Sequence, residues 1–496
     1  MFKQIVSLFT IFFISFISCS QEYFIHKDNL DSVIRMNIKN YNIPGVAVGI
    51  VVGNQLAYEL SYGFADKNEK TPVSKKTGFQ LASVSKPILA MLTLKLYEQG
   101  HIDLYAPINT YIPNINIPKS RIPITLNHLL SHSSGLPKEP VNRIDIEGSS
   151  VPKAYTEKEL LEGLSRTELL YEPGLGYNYS TLGMHLVGYV LETITEKKLE
   201  DLMKSDLFEK LEMANTYAIN KPNDLYEATH YWKTDNAESP RDRWEIGEIW
   251  GGGGLTSNVE EMAKFISLQF QIRNTGNNLI APELIQLSHK PVVNLDSNLN
   301  GFVGLGWFIK KEDFGYKIYH TGGADGHSAY VSALPNEGIG LVVLANKGGV
   351  ADEVGEELES TIYEYVDKLR GDLRKSYFEN DWPSMEKTTE KLLGLNSNNL
   401  IARYFLGKSQ FKLKKYEEAK INLTSAYENN TFKDFPLYYL ASMSAKDGDN
   451  VKAERLLERA VNLGFTDGDE LLEDENMHAL KNTDAYKKLA RWGHHH

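Results

Sequence analysis

The segment that decides the fold reads Phe79-Gln80-Leu81-Ala82-Ser83-Val84-Ser85-Lys86-Pro87 and places a serine and a lysine three residues apart. Pro87 has no backbone donor and is tolerated only near the first turn of a helix, so we expect a helix that begins close to Ser83. Residues three apart share a helical face, so the Lys86 amine can reach the Ser83 hydroxyl and, when neutral, take its proton. The unpaired N–H groups of that turn could stabilise an oxyanion. An N-capping serine followed by a solvated lysine gives the same pattern, so the rest of the chain must decide.

Composition indicates an ordinary globular protein with two or more domains. The chain has 496 residues, of which 42% are hydrophobic, and this length allows a large core. The formal net charge of -12 is spread without long acidic or basic runs, which argues against a nucleic-acid partner.

The first residues have the pattern of an export signal. A basic start at Lys3 precedes an apolar run that ends before Cys19 and is too short to span a membrane. Cys19 is the only cysteine, so no disulfide can form within one chain. Its place resembles a bacterial lipoprotein cleavage site, although Phe16 stands where leucine is usual. We predict a leader over residues 1–19 and an exported protein of the periplasm or outer envelope, lipid-anchored at Cys19 or, alternatively, carrying a plain signal peptide.

Between the leader and Ser83 the sequence predicts a helix and a hairpin. Residues 28–40 alternate charged and apolar side chains, which is typical of an amphipathic helix. Residues 45–52 form a continuous apolar run and residues 56–64 alternate, with Gly53-Asn54 between them as the turn. Gly100 is expected to close the helix that begins near Ser83.

A segment with two histidines follows. Residues 124–136 predict a short helix that runs into a glycine-ended turn. His128 and His132 are four apart, a spacing that could place two metal ligands on one helical face. No acidic partner follows at a recognisable spacing, so we favour histidines that cap and pack the helix end. The polar residues 137–156 form a long insertion, which we interpret as a rim loop over the site.

Two glycine-containing turns precede further helices. Tyr179 follows a Pro173-Gly174 turn and comes just before a predicted helix over residues 184–194. A phenol held there can relay a proton if a nearby ammonium lowers its pKa, although a lone tyrosine is more often a packing residue.

Four consecutive glycines, 251–254, precede a predicted helix over residues 259–270. No Gly-Lys-Ser or Gly-Lys-Thr follows them, so we interpret a tight turn near the pocket rather than a nucleotide site.

A third polar cluster lies in a β-rich segment, where residues 321–327 are expected to bend away from the preceding strand. The predicted strands cover residues 304–311, 316–320, 329–334 and 339–345. A strand that ends in His320-Thr321-Gly322-Gly323 offers an imidazole, a hydroxyl and an open backbone at one edge. An extended acyl substrate could lie along that edge as an added strand. Alternatively, His320 is a plain strand-end histidine.

Three motifs of this chain resemble those of the serine β-lactamase and penicillin-binding-protein superfamily. They are Ser83-x-x-Lys86, Tyr179-Ser180-Thr181 and His320-Thr321-Gly322, in this order. The resemblance is closest to the class C-like branch, which includes β-lactamases, D-peptidases and esterases, and it covers residues 25–369. It implies an α/β fold of the α+β type, with an antiparallel sheet flanked by helices and an all-helical subdomain.

The resemblance also implies roles for individual residues. Ser83 would be the acylated nucleophile, and Lys86 and Tyr179 would share the role of base. The oxyanion hole would be formed by the backbone N–H groups of Ser83 and Gly323. The residues placed in substrate binding are Thr181, His320, Thr321 and Gly322.

Two positions depart from the pattern and bear on the substrate. Many members have lysine where this chain has His320, and histidine carries a positive charge only part of the time near neutral pH. Many have asparagine where this chain has Thr181, which lacks the amide donor and acceptor. Esterase or D-peptidase-like acyl transfer is therefore favoured over turnover of β-lactams.

The C-terminal part, beyond Gly371, is rich in lysine and glutamate and repeats with a period of 34 residues. The aligned positions are Met385, Ala419 and Ala453, and Leu392, Ala426 and Ala460. This pattern resembles tetratricopeptide repeats and predicts an α-solenoid in which each helix pair buries its face against its neighbour. Such stacks usually present a groove to a partner protein. A cap docked onto the first domain is the alternative.

Together these patterns predict a serine hydrolase domain over residues 25–370 and helical repeats over residues 372–490. We expect an exported enzyme that is acylated on Ser83 by a small-molecule or peptide ester or amide and deacylated by water, with no cofactor or metal. The alternative is a receptor or scaffold of the same fold that has lost turnover and binds a partner through the repeats.

Overall fold

The computed structural model divides into two compact units, with the division after Glu364. It describes residues 27–140, 156–223, 225–231, 240–241, 247–271, 278–295, 300–312, 314–324, 326–428 and 434–493. The predicted leader with Cys19, most of the insertion over residues 137–156 and the terminal histidines lie outside these residues. No helix in the described ranges has both the length and the apolar character needed to cross a membrane.

A nine-stranded antiparallel sheet is the centre of the first unit. In chain order its strands are β1 (Gly45–Val52), β2 (Gln55–Asp66), β3 (Thr71–Pro72), β8 (Val293–Asn294), β9 (Gly301–Val303), β10 (Phe308–Glu312), β11 (Gly315–Ala324), β12 (His327–Leu334) and β13 (Ile339–Ala345). Their order across the sheet is β3-β2-β1-β13-β12-β11-β10-β9-β8. Two short pairs lie apart from it: β4 (Phe79–Gln80) with β7 (Thr256–Ser257), and β5 (His230–Tyr231) with β6 (Pro240–Arg241).

Helices surround this sheet. Those of the first unit are α1 (Lys27–Tyr41), α2 (Ser85–Glu98), α3 (Leu126–Leu130), α4 (Glu157–Ser165), α5 (Thr181–Thr195), α6 (Leu199–Met203), α7 (Val259–Leu268) and α8 (Pro282–Ser288). A long helix, α9 (Ala351–Phe378), runs across the division. Short 3-10 turns cover Ala82–Val84 and Ile108–Thr110, and a π-helical turn covers Lys204–Phe208.

The middle strands are buried on both faces because helices cover each side. On one face α7 packs so closely that a Cβ at Gly340 would lie 2.3 Å from Ile266. On the other face the first half of α9 packs against β12, where the Tyr330 hydroxyl donates to Glu359 Oε1 over 2.7 Å. The continuous apolar runs in β1 and β13 follow from this double burial.

The predicted helices and strands are mostly present, but several begin or end at residues other than those predicted. The helix over residues 28–40, the hairpin and the closing Gly100, with φ +77°, are confirmed. Helix α5 begins at Thr181 rather than at residue 184, because the Ser180 side chain accepts from the Gly183 N–H and caps it. The short helix over residues 124–136 is limited to Leu126–Leu130.

The bend expected over residues 321–327 was placed too early, because the chain reverses only between Ala324 and His327. Strand β11 continues to Ala324, and Gly322 and Gly323 pair with Ala329 and Ser328 of β12. Both glycines are therefore part of the strand rather than of a turn. Residues 304–307 are not part of a strand, and Gly306 there has φ +78°.

The second unit is a run of helix pairs, as the period predicted. Its helices are α10 (Trp382–Leu395), α11 (Leu400–Lys412), α12 (Tyr416–Glu428), α13 (Asp434–Lys446), α14 (Asn450–Leu463), α15 (Gly468–Glu473) and α16 (Asp484–Ala490), with a 3-10 helix at Glu475–Leu480. The aligned residues Met385, Ala419 and Ala453 are fully buried, as helix contacts in a solenoid require. The predicted boundary at residue 370 falls inside α9.

Candidate active site

The turn that carries Ser83 is fixed from both sides. Before it, the Leu81 N–H donates to the Leu255 carbonyl over 2.8 Å, and after it the Ser85 hydroxyl accepts from the Leu255 N–H over 3.0 Å. Ala82 between them has φ +45°, a left-handed conformation that is uncommon for a residue other than glycine. Ser83 therefore lies on a constrained turn at the start of α2, as its distance from Pro87 predicted.

The Lys86 amine lies 3.0 Å from the Ser83 hydroxyl oxygen. It also donates to the carbonyl oxygen of Gly252. Because the side chain is buried, with 1% of its surface exposed, desolvation lowers the pKa of Lys86 to about 7. A large share of the molecules then carries a neutral amine near neutral pH, in position to accept the Ser83 proton.

Tyr179 stands over the same amine. The Lys86 Nζ atom lies 4.9 Å from the centre of the phenol ring, and the Tyr179 hydroxyl shares a hydrogen bond with Ser83. Burial raises the pKa of Tyr179 to about 12, and the hydrogen bond with Ser83 only partly opposes this. The pKa of Tyr179 is thus not lowered by a nearby ammonium, the condition named from the sequence, because desolvation is the largest effect. The resting group is a phenol that can pass a proton on.

His320 is a neutral imidazole at this site. Its ring centre lies 5.1 Å from that of Phe308 and 6.3 Å from that of Tyr179. Nδ1 lies 2.7 Å from the Thr321 carbonyl oxygen, so Nδ1 carries the proton and donates it. Burial, with a smaller effect of the charge on Lys86, lowers the pKa of His320 to about 3. His320 therefore provides no fixed positive charge for a substrate carboxylate.

Strand β11 lies directly against the Ser83 turn. A Cβ at Gly322 would lie only 2.1 Å from the Leu81 carbonyl oxygen, so this approach requires glycine. At the next residue, Gly323, a Cβ would meet nothing within 4 Å, so the backbone there faces open space. Thr321 is half-buried between His320 and Gly322. This arrangement suits the role in an oxyanion hole that the resemblance implies for Gly323.

The four-glycine segment forms the expected turn and also contributes to the site. Gly252 accepts from Lys86 through its carbonyl group, and its N–H donates to His185 Nδ1 over 3.2 Å. A Cβ at Gly252 would lie 2.6 Å from the Thr181 methyl carbon, which is why a side chain does not fit there. The glycine run signalled the turn, whereas nothing in the sequence signalled its hydrogen bond with Lys86.

The two histidines of the earlier segment have separate surroundings. Helix α3 ends at Leu130, so His132 lies beyond it and shares no helical face with His128. His132 lies at the site, with its ring centre 4.5 Å from that of Tyr179, whereas His128 lies beside Gly174. Among the described residues no group of three or more His, Cys, Asp or Glu side chains could hold a metal ion.

Comparison with known proteins decides the family. The profile of the beta-lactamase family matches residues 30–361, about two thirds of the chain. The chain belongs to the beta-lactamase family. Within this family of serine hydrolases, a curated relative is the flp protein of Staphylococcus aureus strain MRSA252, 23% identical over 329 residues. The match covers 64% of this chain and 63% of the flp protein.

Solved structures of the beta-lactamase fold confirm the expected fold class. The octameric penicillin-binding protein homologue from Pyrococcus abyssi is similar with a TM-score of 0.60 and 21% identity, over 70% of this chain and 81% of that chain. EstCE1, a hydrolase with promiscuous acyltransferase activity, is similar with a TM-score of 0.58 and 21% identity, over 68% of this chain and 98% of that chain. At 21% identity these structural similarities show a shared fold only.

Proposed function

We propose that this beta-lactamase-family protein is acylated on Ser83 by an ester or amide and is deacylated by water. The observation that carries the proposal is the buried Lys86 amine, 3.0 Å from the Ser83 hydroxyl and with a pKa of about 7. A neutral amine at that distance is the base that a serine nucleophile needs.

The reaction has two halves, acylation and deacylation, which use the same base. The Ser83 oxygen attacks the acyl carbon while its proton passes to Lys86, and the negative oxygen faces the N–H groups of Ser83 and Gly323. The C–O or C–N bond to the leaving group breaks as the Tyr179 phenol donates its proton to the departing oxygen or nitrogen and takes the proton that Lys86 received from Ser83, which leaves Lys86 neutral. In the second half water attacks the acyl carbon and gives a proton to Lys86, the bond from that carbon to the Ser83 oxygen breaks as Lys86 returns the proton to this oxygen, and the acid product leaves.

An ester is the first substrate class to test. His320 is neutral, so it supports recognition of a substrate carboxylate less well than a lysine would. The fold similarity to EstCE1, a hydrolase by name, agrees with this choice. Export, a lipid anchor on Cys19 and a partner protein for the helical repeats remain part of the proposal, supported by the leader sequence and the 34-residue period.

The test is covalent labelling combined with a substrate panel. A fluorophosphonate probe should label the wild-type protein and leave Ser83→Ala unlabelled. Short-chain p-nitrophenyl esters, D-amino-acid peptides and nitrocefin are compared, and we expect the esters to be hydrolysed fastest. A folded wild-type protein that is neither labelled nor active on any of the three would contradict the proposal and favour the scaffold alternative.

A further inference from the structure

One residue, His132, holds the backbone on both sides of Tyr179. The Asn178 N–H donates to the His132 carbonyl oxygen over 3.0 Å, and the Ser180 N–H donates to His132 Nδ1 over 3.1 Å. The His132 ring also lies against the phenol, with 4.5 Å between the ring centres. His132 thus binds the residue before Tyr179 and the residue after it, and its ring contacts one face of the phenol.

His132 adopts an unusual backbone conformation to do this. Its φ is +55°, in the left-handed region that few residues other than glycine and asparagine adopt, and only 2% of its surface is exposed. A buried histidine held in such a conformation indicates that its side chain is needed there. His128, four residues earlier, has neither feature and is half-buried against the loop at Gly174.

The hydrogen bonds also fix the tautomer of His132. Because Nδ1 accepts from Ser180, the proton of the neutral ring is on Nε2, which has no hydrogen-bond partner within the described residues. Burial, with a smaller effect of the charge on Lys86, holds the pKa of His132 well below its usual range. Nδ1 therefore stays unprotonated near neutral pH, where it can accept from Ser180.

We propose that His132 is a positioning residue that aims the Tyr179 phenol at Ser83 without touching the substrate. The inference rests on the proposed function, in which that phenol passes a proton to the leaving group. A displaced phenol slows proton transfer while leaving the substrate contacts in place, so the loss belongs to kcat rather than to KM.

Three variants separate the parts of this interaction. His132→Phe keeps the ring and removes the acceptor, whereas His132→Asn places an oxygen where Nδ1 stands and tolerates the left-handed backbone. We expect kcat for a p-nitrophenyl ester to fall about tenfold to a hundredfold in His132→Phe, with KM unchanged and much of the loss rescued in His132→Asn. His128→Phe, the matched control, should retain wild-type kcat.

A double-mutant cycle tells positioning from a general structural role. In a Tyr179→Phe background the further change His132→Phe should cost nothing more, because no phenol remains to be aimed. Wild-type kcat in the single His132→Phe variant, or full additivity in the cycle, would overturn the inference. If circular dichroism shows that His132→Phe does not fold, the same comparison is made with His132→Leu.

Failure of the proposed function is distinguishable from failure of this inference. A wild-type protein without turnover contradicts the hydrolase proposal, and the positioning role is then judged by amide hydrogen exchange over residues 178–180. Exchange there should be faster in His132→Phe than in the wild type and unchanged in His128→Phe. Equal exchange in all three proteins would show that His132 does not hold this segment.

Discussion

Lys86 sets the reactivity of the site through its burial. Desolvation moves its pKa from the ordinary 10.5 to about 7, so the amine becomes a base within the physiological range. Tyr179 and His320 are shifted away from that range, to about 12 and about 3, so neither changes protonation near neutral pH. Of these three groups, Lys86 is therefore the one whose protonation state changes near pH 7.

The first prediction concerns the pH profile of the enzyme. The rate constant kcat/KM for an uncharged ester should rise with pH through about 7, because deprotonation of Lys86 creates the base. Initial rates between pH 5 and pH 9 check this. A flat profile across the range would show that the deprotonated amine is not required, and Lys86→Arg, which cannot lose its proton, should be inactive throughout.

The same burial carries a cost in stability. Between pH 7 and 10.5 the unfolded chain keeps the Lys86 proton that the folded protein releases, so this group makes stability rise with pH over that window. Below pH 7 both states are protonated and the full penalty is present. We predict that Lys86→Met stabilises the protein at pH 6 by about 1–2 kcal/mol, after subtraction of the lost hydrogen bond to Gly252.

Urea unfolding of both proteins at pH 6 and pH 9 measures this effect. The advantage of Lys86→Met should shrink as pH rises, since the wild type gains stability and the variant does not. A variant that is less stable than the wild type at pH 6 would mean that the amine is solvated in the folded state.

For individual residues, the sequence predicted the contact between Ser83 and Lys86, because residues three apart share one face of a helix. Local sequence singled out Tyr179 and His320, but only the family resemblance grouped them with Ser83, since no local pattern brings residues 83, 179 and 320 together. The sequence could not give the direction of the Tyr179 pKa shift, because burial depends on the whole fold. His132 could not be told from His128 without the end of α3 in view.

The approach of β11 to the Ser83 turn is the decisive contact between elements. A methyl group at Gly322 would lie 2.1 Å from the Leu81 carbonyl oxygen, whereas one at Gly323 would meet no atom within 4 Å. We predict that Gly322→Ala separates β11 from the turn and lowers ester turnover at least about a hundredfold. The protein with Gly323→Ala should fold as the wild type does, by circular dichroism and melting temperature. A normal rate in Gly322→Ala would show that the two elements can separate without loss.

Element boundaries show what sequence patterns do and do not predict. The apolar runs of β1 and β13 predicted strands well, because strands covered by helices on both faces need them, and the alternation in β2 did so because that strand is partly exposed. The end of β11 was placed too early, since Thr-Gly-Gly resembles a turn and only the pairing with Ala329 and Ser328 shows that it remains in the sheet.

Helices α11 and α12 of the second unit pack closely against each other at a glycine. A Cβ at Gly407 of α11 would lie 2.7 Å from the Leu423 side chain of α12, whereas one at Gly394 of α10 would meet nothing within 4 Å. Gly407→Ala should destabilise this unit by about 1–3 kcal/mol, and Gly394→Ala should be neutral or slightly stabilising. Calorimetric unfolding of the two variants measures the difference. Equal melting curves would mean that α11 and α12 can move apart without loss.

On the scale of the whole molecule, two units share one continuous helix. Helix α9 runs from Ala351 to Phe378, past the division after Glu364 and past the boundary at residue 370 that composition indicated. Composition changes where the repeats begin, but a helix has no reason to end there, so the sequence could not reveal the shared element.

This continuity predicts where the chain can be shortened. A protein that ends after Glu379 keeps α9 whole and should retain the ester turnover of the full chain, because every residue of the candidate site precedes α9. A protein that ends at Leu369 cuts the helix and should be less stable by thermal unfolding. Loss of turnover in the longer of the two would show that the repeats contribute to the chemistry.

The fit between Gly322 and the Leu81 carbonyl also limits how this protein can be recombined with its relatives. The Ser83 turn and the strand segment His320-Thr321-Gly322 must therefore be exchanged together, since a larger residue at position 322 requires a different backbone position at Leu81. A chimera that takes only one of them from a homologue with a bulkier residue at position 322 would not bring β11 against the Ser83 turn. Grafting both together is the viable route to new substrate ranges.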